Sequence, residues 1–220
     1  MFNFSFANYF FYMKALILVD IQVDFLPGGG LAVAGGDAII PVCNKIQTQF
    51  ELVIATQAWH PAGHKSFASS HSGKKEFETI DLNGLPQVLW PDHCVQGTEG
   101  ADISKDLYTN KIETIFRKGT NPEIDSYSGF YDNGHLKSTG LSHYLKGMGV
   151  KQVYVAGLAA DYCVYFTAKD ALAEGFGAFI IEDATRPISA EGFEKAKKDF
   201  KRKGGHMINS TQLEKVESPV

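Results

Sequence analysis

Lys14-Ala15-Leu16-Ile17-Leu18-Val19-Asp20-Ile21-Gln22-Val23-Asp24-Phe25 passes in a single step from an apolar run to a carboxylate, with a second carboxylate four residues on. Residues 15–19 are too few for a helix and are bounded by charge on both sides, which predicts a strand buried on both faces. Similar short runs recur at residues 52–55, 153–156 and 178–181, and residues 112–116 form a more polar fifth. Helical patterns alternate with them, roughly over 37–49, 134–146, 161–174 and 190–203. Strand, helix, strand repetition predicts an α/β fold of Rossmann-like, three-layer type: a mostly parallel central sheet with helices on both faces.

The chain has 220 residues, 44% of them hydrophobic and 12% aromatic, ample for a single core. Residues 14–220 read as one domain and residues 1–13, aromatic but without a basic leader, as an N-terminal extension too short to span a bilayer. A net charge of −4 from 21 basic and 25 acidic residues gives no positive field for nucleic acid or anionic membrane. Cys43, Cys94 and Cys163 are odd in number and form no CxxC pair, which fits a reducing cytoplasm. Residues 57–108 are rich in Gly, Pro, Ser and His and show little periodicity, the mark of a functional irregular segment. Homo-oligomers are common for such folds, and a homo-oligomer is one expectation here.

A parallel sheet binds its ligand at the carboxyl ends of its strands, so polar residues just beyond the apolar runs come first. Asp20, Lys118 and Cys163 occupy such places. Cys163 follows Gly157-Leu158-Ala159-Ala160-Asp161-Tyr162 at the start of a helix. The helix dipole there lowers a thiol pKa, and backbone N–H groups of Ala159 and Cys163 can converge as an oxyanion hole. The alternative is a buried structural thiol, which most single cysteines are. Asp20 reads equally well as a general base or as a turn cap. Lys118 reads as a cation favouring the anionic forms of both, or as a solvated lysine.

His60-Pro61-Ala62-Gly63-His64 puts two imidazoles one tight turn apart, and Pro91-Asp92-His93-Cys94 supplies a third. Three neutral imidazoles in a cleft suit a divalent transition metal, zinc first and iron or manganese next. Taken on spacing alone, HxxxH in a loop is more often incidental. His71, in Ser-rich surroundings, reads as solvated.

Four segments, Val19-Asp20-Ile21-Gln22-Val23-Asp24-Phe25, Phe116-Arg117-Lys118-Gly119, Tyr127-Ser128-Gly129-Phe130 and Gly157 to Val164, follow the order seen in nicotinamidases of the isochorismatase-like hydrolase superfamily, which the chain resembles over about residues 14–184. The resemblance implies an Asp20, Lys118, Cys163 triad and an oxyanion hole at Ala159 and Cys163 beside a cis peptide. It implies a metal site at His60, His64 and His93, and a substrate pocket walled by Phe25, Trp90 and Tyr127. The expected activity is hydrolysis of nicotinamide, and of pyrazinamide as a close analogue, to the acid and ammonia. One position departs from the pattern: where the family carries an aspartate ligand, this chain has Ala58. Weaker metal binding and slower turnover are therefore expected.

Two competing functions remain at this point. Other members of the superfamily act on N-carbamoyl compounds, ureido acids or isochorismate, and a homologue that binds ligand without turning it over would also carry Ala58. Dinucleotide binding through Gly28-Gly29-Gly30 is disfavoured, because these glycines follow Pro27 in a loop and do not open a helix.

Overall fold

The computed structural model describes residues 13–215, so the extension expected at residues 1–13 lies, Met13 apart, outside the described residues. Six parallel strands build the main sheet: β1 (Met13–Val19), β2 (Leu52–Ala58), β5 (Ile112–Lys118), β6 (Val150–Leu158), β7 (Gly177–Arg186) and β8 (His206–Ile208). Their spatial order is β5-β2-β1-β6-β7-β8. The chain works outward from β1 to one edge and then from β6 to the other, so the direction of winding switches between β1 and β6.

Side-chain alternation along β1 assigns the two faces. Leu16 and Leu18 join the core beneath α1 (Ile40–Ile46), with Ile40, Cys43 and Ile46. Ala15, Ile17 and Val19 point the other way, into the core with Leu141 and Leu145 of α2 (Leu141–Gly147), Ala168 and Ala171 of α3 (Tyr165–Ala173), and Phe200 of α4 (Ala190–Arg202). The expected three layers are present. The fifth run is polar because β5 is an edge strand, whose Glu113, Ile115 and Arg117 are exposed.

Three expectations need correction. The helix read over 134–146 begins only at Leu141, because side chains upstream divert the backbone N–H groups into turns: Asp132 Oδ1 accepts from Gly134 and Leu136, and Ser138 and Thr139 accept from Gly140 and Leu141. The stretch over 57–108 contains an antiparallel hairpin, β3 (Thr79–Leu82) and β4 (Leu85–Val88). Its turn is Asn83-Gly84, both with positive φ (55° and 82°), a hairpin signal present in the sequence. The helix over 161–174 opens on a wide π turn, Ala160–Val164, before α3 begins.

Among the described residues no helix is long and apolar enough to cross a membrane. The carboxyl ends of β1, β2, β5 and β6 converge at one rim, and the site is built there.

Candidate active site

β1 ends on Asp20, whose φ of 47° turns the chain sharply and whose side chain is fully buried. Thr56 Oγ1 donates to Asp20 Oδ1 at 2.6 Å, while Oδ2 faces Lys118 Nζ at 2.8 Å. Lys118, the last residue of β5, also donates to the Ser126 carbonyl at 2.8 Å and reaches Cys163 Sγ at 3.5 Å. The ammonium thus bridges the carboxylate and the sulfur. Burial works against its charge, but Asp20 and Cys163 outweigh that penalty and raise its pKa.

The thiol behaves differently from the sequence-based expectation. Burial above all, with the charge and hydrogen bond of Asp20 adding to it and Lys118 opposing it, pushes Cys163 up to about 12. Desolvation outweighs any pull of the helix terminus, so the resting group beside Asp20 is a neutral thiol.

Gly157 lies against β1 so closely that a Cβ would stand 2.0 Å from the Val19 carbonyl oxygen. That approach brings the turn after β6 up to Asp20. The Leu158–Ala159 peptide is cis, as the resemblance implied. Asp161 then ties the turn to the loop after β7, accepting from Ile188 N at 2.9 Å and Ser189 N at 2.8 Å.

The three histidines lie together on one side of this group. Ring centroids of His60 and His64 are 4.7 Å apart and those of His60 and His93 5.0 Å, with Phe67 packed against all three. Each Nδ1 has a partner: Gly119 O at 3.0 Å for His60, Ser66 Oγ at 2.8 Å for His64, and Pro91 O at 2.8 Å for His93. Such outer contacts orient imidazoles for ligation through Nε2. Gly119 must be glycine, with φ +66° and a Cβ that would meet His60 Cε1 at 2.4 Å. Burial lowers the pKa of His60 and of His93, keeping both neutral and able to ligate.

Among the described residues, donor atoms of His60, His64 and Asp125 lie within 4.8 Å of one another, and all three residues are buried. His64 Nε2 is buried without any hydrogen-bond partner. An orphaned ring nitrogen beside a second imidazole and a carboxylate fits a divalent transition ion. Asp125 is the residue that sequence reasoning missed, although it directly precedes Ser126 and the quoted Tyr127-Ser128-Gly129-Phe130 segment. Burial opposes its charge, while positive charge on His60 or His64 when either ring is protonated, the Lys118 ammonium and the Ser126 N–H all lower its carboxyl pKa.

Eight of the ten expected residues, Phe25, His60, Trp90, His93, Lys118, Tyr127, Ala159 and Cys163, line one pocket of about 360 Å³, mouth included. Ala58, Asp125 and Tyr162 line it too. Asp20 and His64 are not among the lining residues; Asp20 is held by Lys118 and His64 packs beside His60. Trp90, Tyr127 and Tyr162 form an aromatic wall, with Trp90 to Tyr162 at 4.8 Å and Tyr127 to Tyr162 at 5.3 Å. Trp59 takes no part in it and stacks under the Arg117 guanidinium. His71 stays out of the histidine cluster, its Nε2 on the Lys65 carbonyl at 2.8 Å. Asp24 is structural, accepting from Gly30 N and Cys94 N to fix the Gly-rich loop against the loop carrying His93.

The Isochorismatase domain family model matches residues 14–212. A nicotinamidase of Acinetobacter baylyi is 46% identical over 200 residues, covering 90% of this chain and 94% of the relative. A nicotinamidase/pyrazinamidase structure from Acinetobacter baumanii superposes with a TM-score of 0.89 at 47% identity, covering 91% of this chain and 97% of that one. A Pyrococcus horikoshii pyrazinamidase solved in complex with zinc gives a TM-score of 0.74 at 38% identity, covering 89% and 98%. Fold and similarity over nine-tenths of the sequence agree, and the chain belongs to the isochorismatase domain family.

Proposed function

We propose that this chain is an amidohydrolase that converts nicotinamide to nicotinate and ammonia, and pyrazinamide likewise, through a thioester on Cys163. The observation that carries this reading is the contact of Lys118 with both Asp20 and Cys163 at the inner end of an aromatic pocket. The named activities of the relatives support the substrate. The aromatic wall of Trp90, Tyr127 and Tyr162, with Phe25 packed edge-on against His93 at 5.4 Å, suits a flat heteroaromatic ring.

Asp20 takes the Cys163 proton as sulfur attacks the carboxamide carbon, so the charge of the thiolate exists only as it is used. This order follows from the raised thiol pKa. Backbone N–H groups of Ala159 and Cys163 hold the developing oxyanion. Asp20 returns the proton to the nitrogen, the C–N bond breaks, and ammonia leaves a thioester. Water then gives a proton to Asp20 as its oxygen attacks the thioester; the C–S bond breaks, sulfur recovers the proton, and nicotinate departs. Lys118 holds Asp20 in place through its 2.8 Å contact and steadies the sulfur.

His60, His64 and His93 are the expected metal ligands, with zinc the first choice and iron or manganese next. A bound divalent ion supplies a fixed electrophilic partner for the ring nitrogen. Ala58 offers no ligand, so metal binding is weaker and turnover slower than in the Ala58→Asp variant.

The test is ammonia release from nicotinamide, pyrazinamide and N-carbamoyl amino acids, by this protein, Cys163→Ala and Ala58→Asp, with metal content measured on each. Hydrolysis of the two ring amides alone, lost in Cys163→Ala, is the expected outcome. Preference for an N-carbamoyl substrate, or near-parental turnover in Cys163→Ala, refutes the proposal.

A further inference from the structure

The site contains a carboxylate that the family pattern did not call for and lacks the one that it did. We infer that Asp125 supplies, with His60 and His64, the carboxylate ligand of a divalent-metal site in which Ala58 provides none; this rests on the metal-assisted reading above.

Ala58 ends β2, where its Cα pairs with that of Lys118 on β5. Its methyl group lines the pocket and has no donor atom. Asp125 lies seven residues beyond Lys118 and enters the same pocket from the loop after β5. One of its oxygens lies within 4.8 Å of a donor nitrogen of His60 and of His64, close enough for small side-chain movements to bring all three onto one ion. The side chain is already immobilised, since Ser126 N donates to Oδ1 at 2.7 Å. Its other oxygen, Oδ2, has only a long contact from Gln87 Nε2, at 3.3 Å, and so keeps acceptor capacity.

His64 supplies the second, independent observation. Its ring is wholly buried, Ser66 addresses Nδ1 through both hydroxyl and N–H, and Nε2 meets nothing. Nδ1 accepts from Ser66 N, and moving the ring proton to Nδ1, where the Ser66 hydroxyl can take it as acceptor, frees the Nε2 lone pair for a cation. Two imidazoles and one carboxylate form an N,N,O donor set suited to zinc, iron or manganese. The carboxylate also brings the negative charge that three histidines alone lack.

The full-length protein, stripped with a chelator, is titrated with Zn²⁺ against a chromophoric competitor and with Co²⁺ by visible absorption, without substrate. Four forms are compared: parent, Asp125→Asn, Ala58→Asp and the double variant. Asp125→Asn is expected to weaken Zn²⁺ binding at least about tenfold and to alter the Co²⁺ bands. In the Ala58→Asp background the same change costs less, because a second carboxylate is present. Zn²⁺ affinity within about threefold of the parent, or equal losses in both backgrounds, overturns the assignment. Should Asp125→Asn fail to fold, a zinc-loaded crystal of the parent decides: an Asp125 oxygen about 2.0–2.2 Å from the ion is expected, and one beyond about 3 Å overturns it. Metal affinity is read apart from catalysis, so a protein that binds Zn²⁺ through Asp125 but leaves nicotinamide intact would refute the proposed substrate alone.

Discussion

Lys118 Nζ lies 2.8 Å from Asp20 Oδ2 with both side chains closed to solvent, so each charge in this pair depends on the other for its stability. Removing one partner leaves a buried charge uncompensated. Lys118→Met is expected to destabilise the fold by about 3–5 kcal/mol, and the Asp20→Asn, Lys118→Met double variant to recover part of the loss. Urea unfolding of the set checks this; a double variant as unstable as the sum of the singles would show that the pair is not coupled.

The thiol leads to a pH prediction with a definite sign. Iodoacetamide consumes only thiolate, and a group with its pKa raised from 9.0 to about 12 is protonated throughout the neutral range. Alkylation of Cys163 should therefore climb about tenfold per pH unit from 7 to 10 with no plateau near 9. Asp20→Asn removes both the charge and the hydrogen bond by which Asp20 raises the thiol, while Lys118 still lowers it. That variant should alkylate faster at any given pH yet hydrolyse no amide. Peptide-resolved mass spectrometry separates Cys163 from Cys43 and Cys94; a plateau below pH 9 in the parent contradicts the mechanism.

The strands were legible because a parallel strand buried on both faces needs a run such as Ala15-Leu16-Ile17-Leu18-Val19, and few other structures do. Asp20, Lys118 and Cys163 were legible as candidates because they fall just past such runs. Their convergence was not, since it depends on strand order: Lys118 on β5 reaches across β2 to the end of β1. β8 has only three residues and no pattern of its own. Asp125 escaped notice because it ends no strand and its spacing from His60 carries no rule; only the folded loop brings the two together. The thiol pKa was misjudged because sequence shows the start of a helix but not the depth of burial, and burial prevailed.

Gly157 sets the distance between the two halves of the triad. With φ at +118° and Val19 O at 2.0 Å from any Cβ, Gly157→Ala cannot be absorbed by a rotamer change. The strand must move away from β1, carrying Ala159 and Cys163 with it. A stability loss above about 2 kcal/mol is expected, together with a fall in kcat. Thermal unfolding and steady-state kinetics measure both, and near-parental values would mean that the close approach is not required.

Trp90 tests the ring-binding wall. It packs edge-on against Tyr162 at 4.8 Å and against Phe77 at 6.0 Å, and it is buried. Trp90→Ala removes one wall of the pocket but leaves Asp20, Lys118 and Cys163 in place. Losing an aromatic contact of about 0.5–1.5 kcal/mol beyond the buried area predicts a rise in KM for nicotinamide of roughly tenfold. Trp90→Phe, which keeps a flat apolar surface, should recover much of that rise. If Trp90→Ala lowers kcat without raising KM, the indole acts on the reacting carboxamide and the ring is held elsewhere.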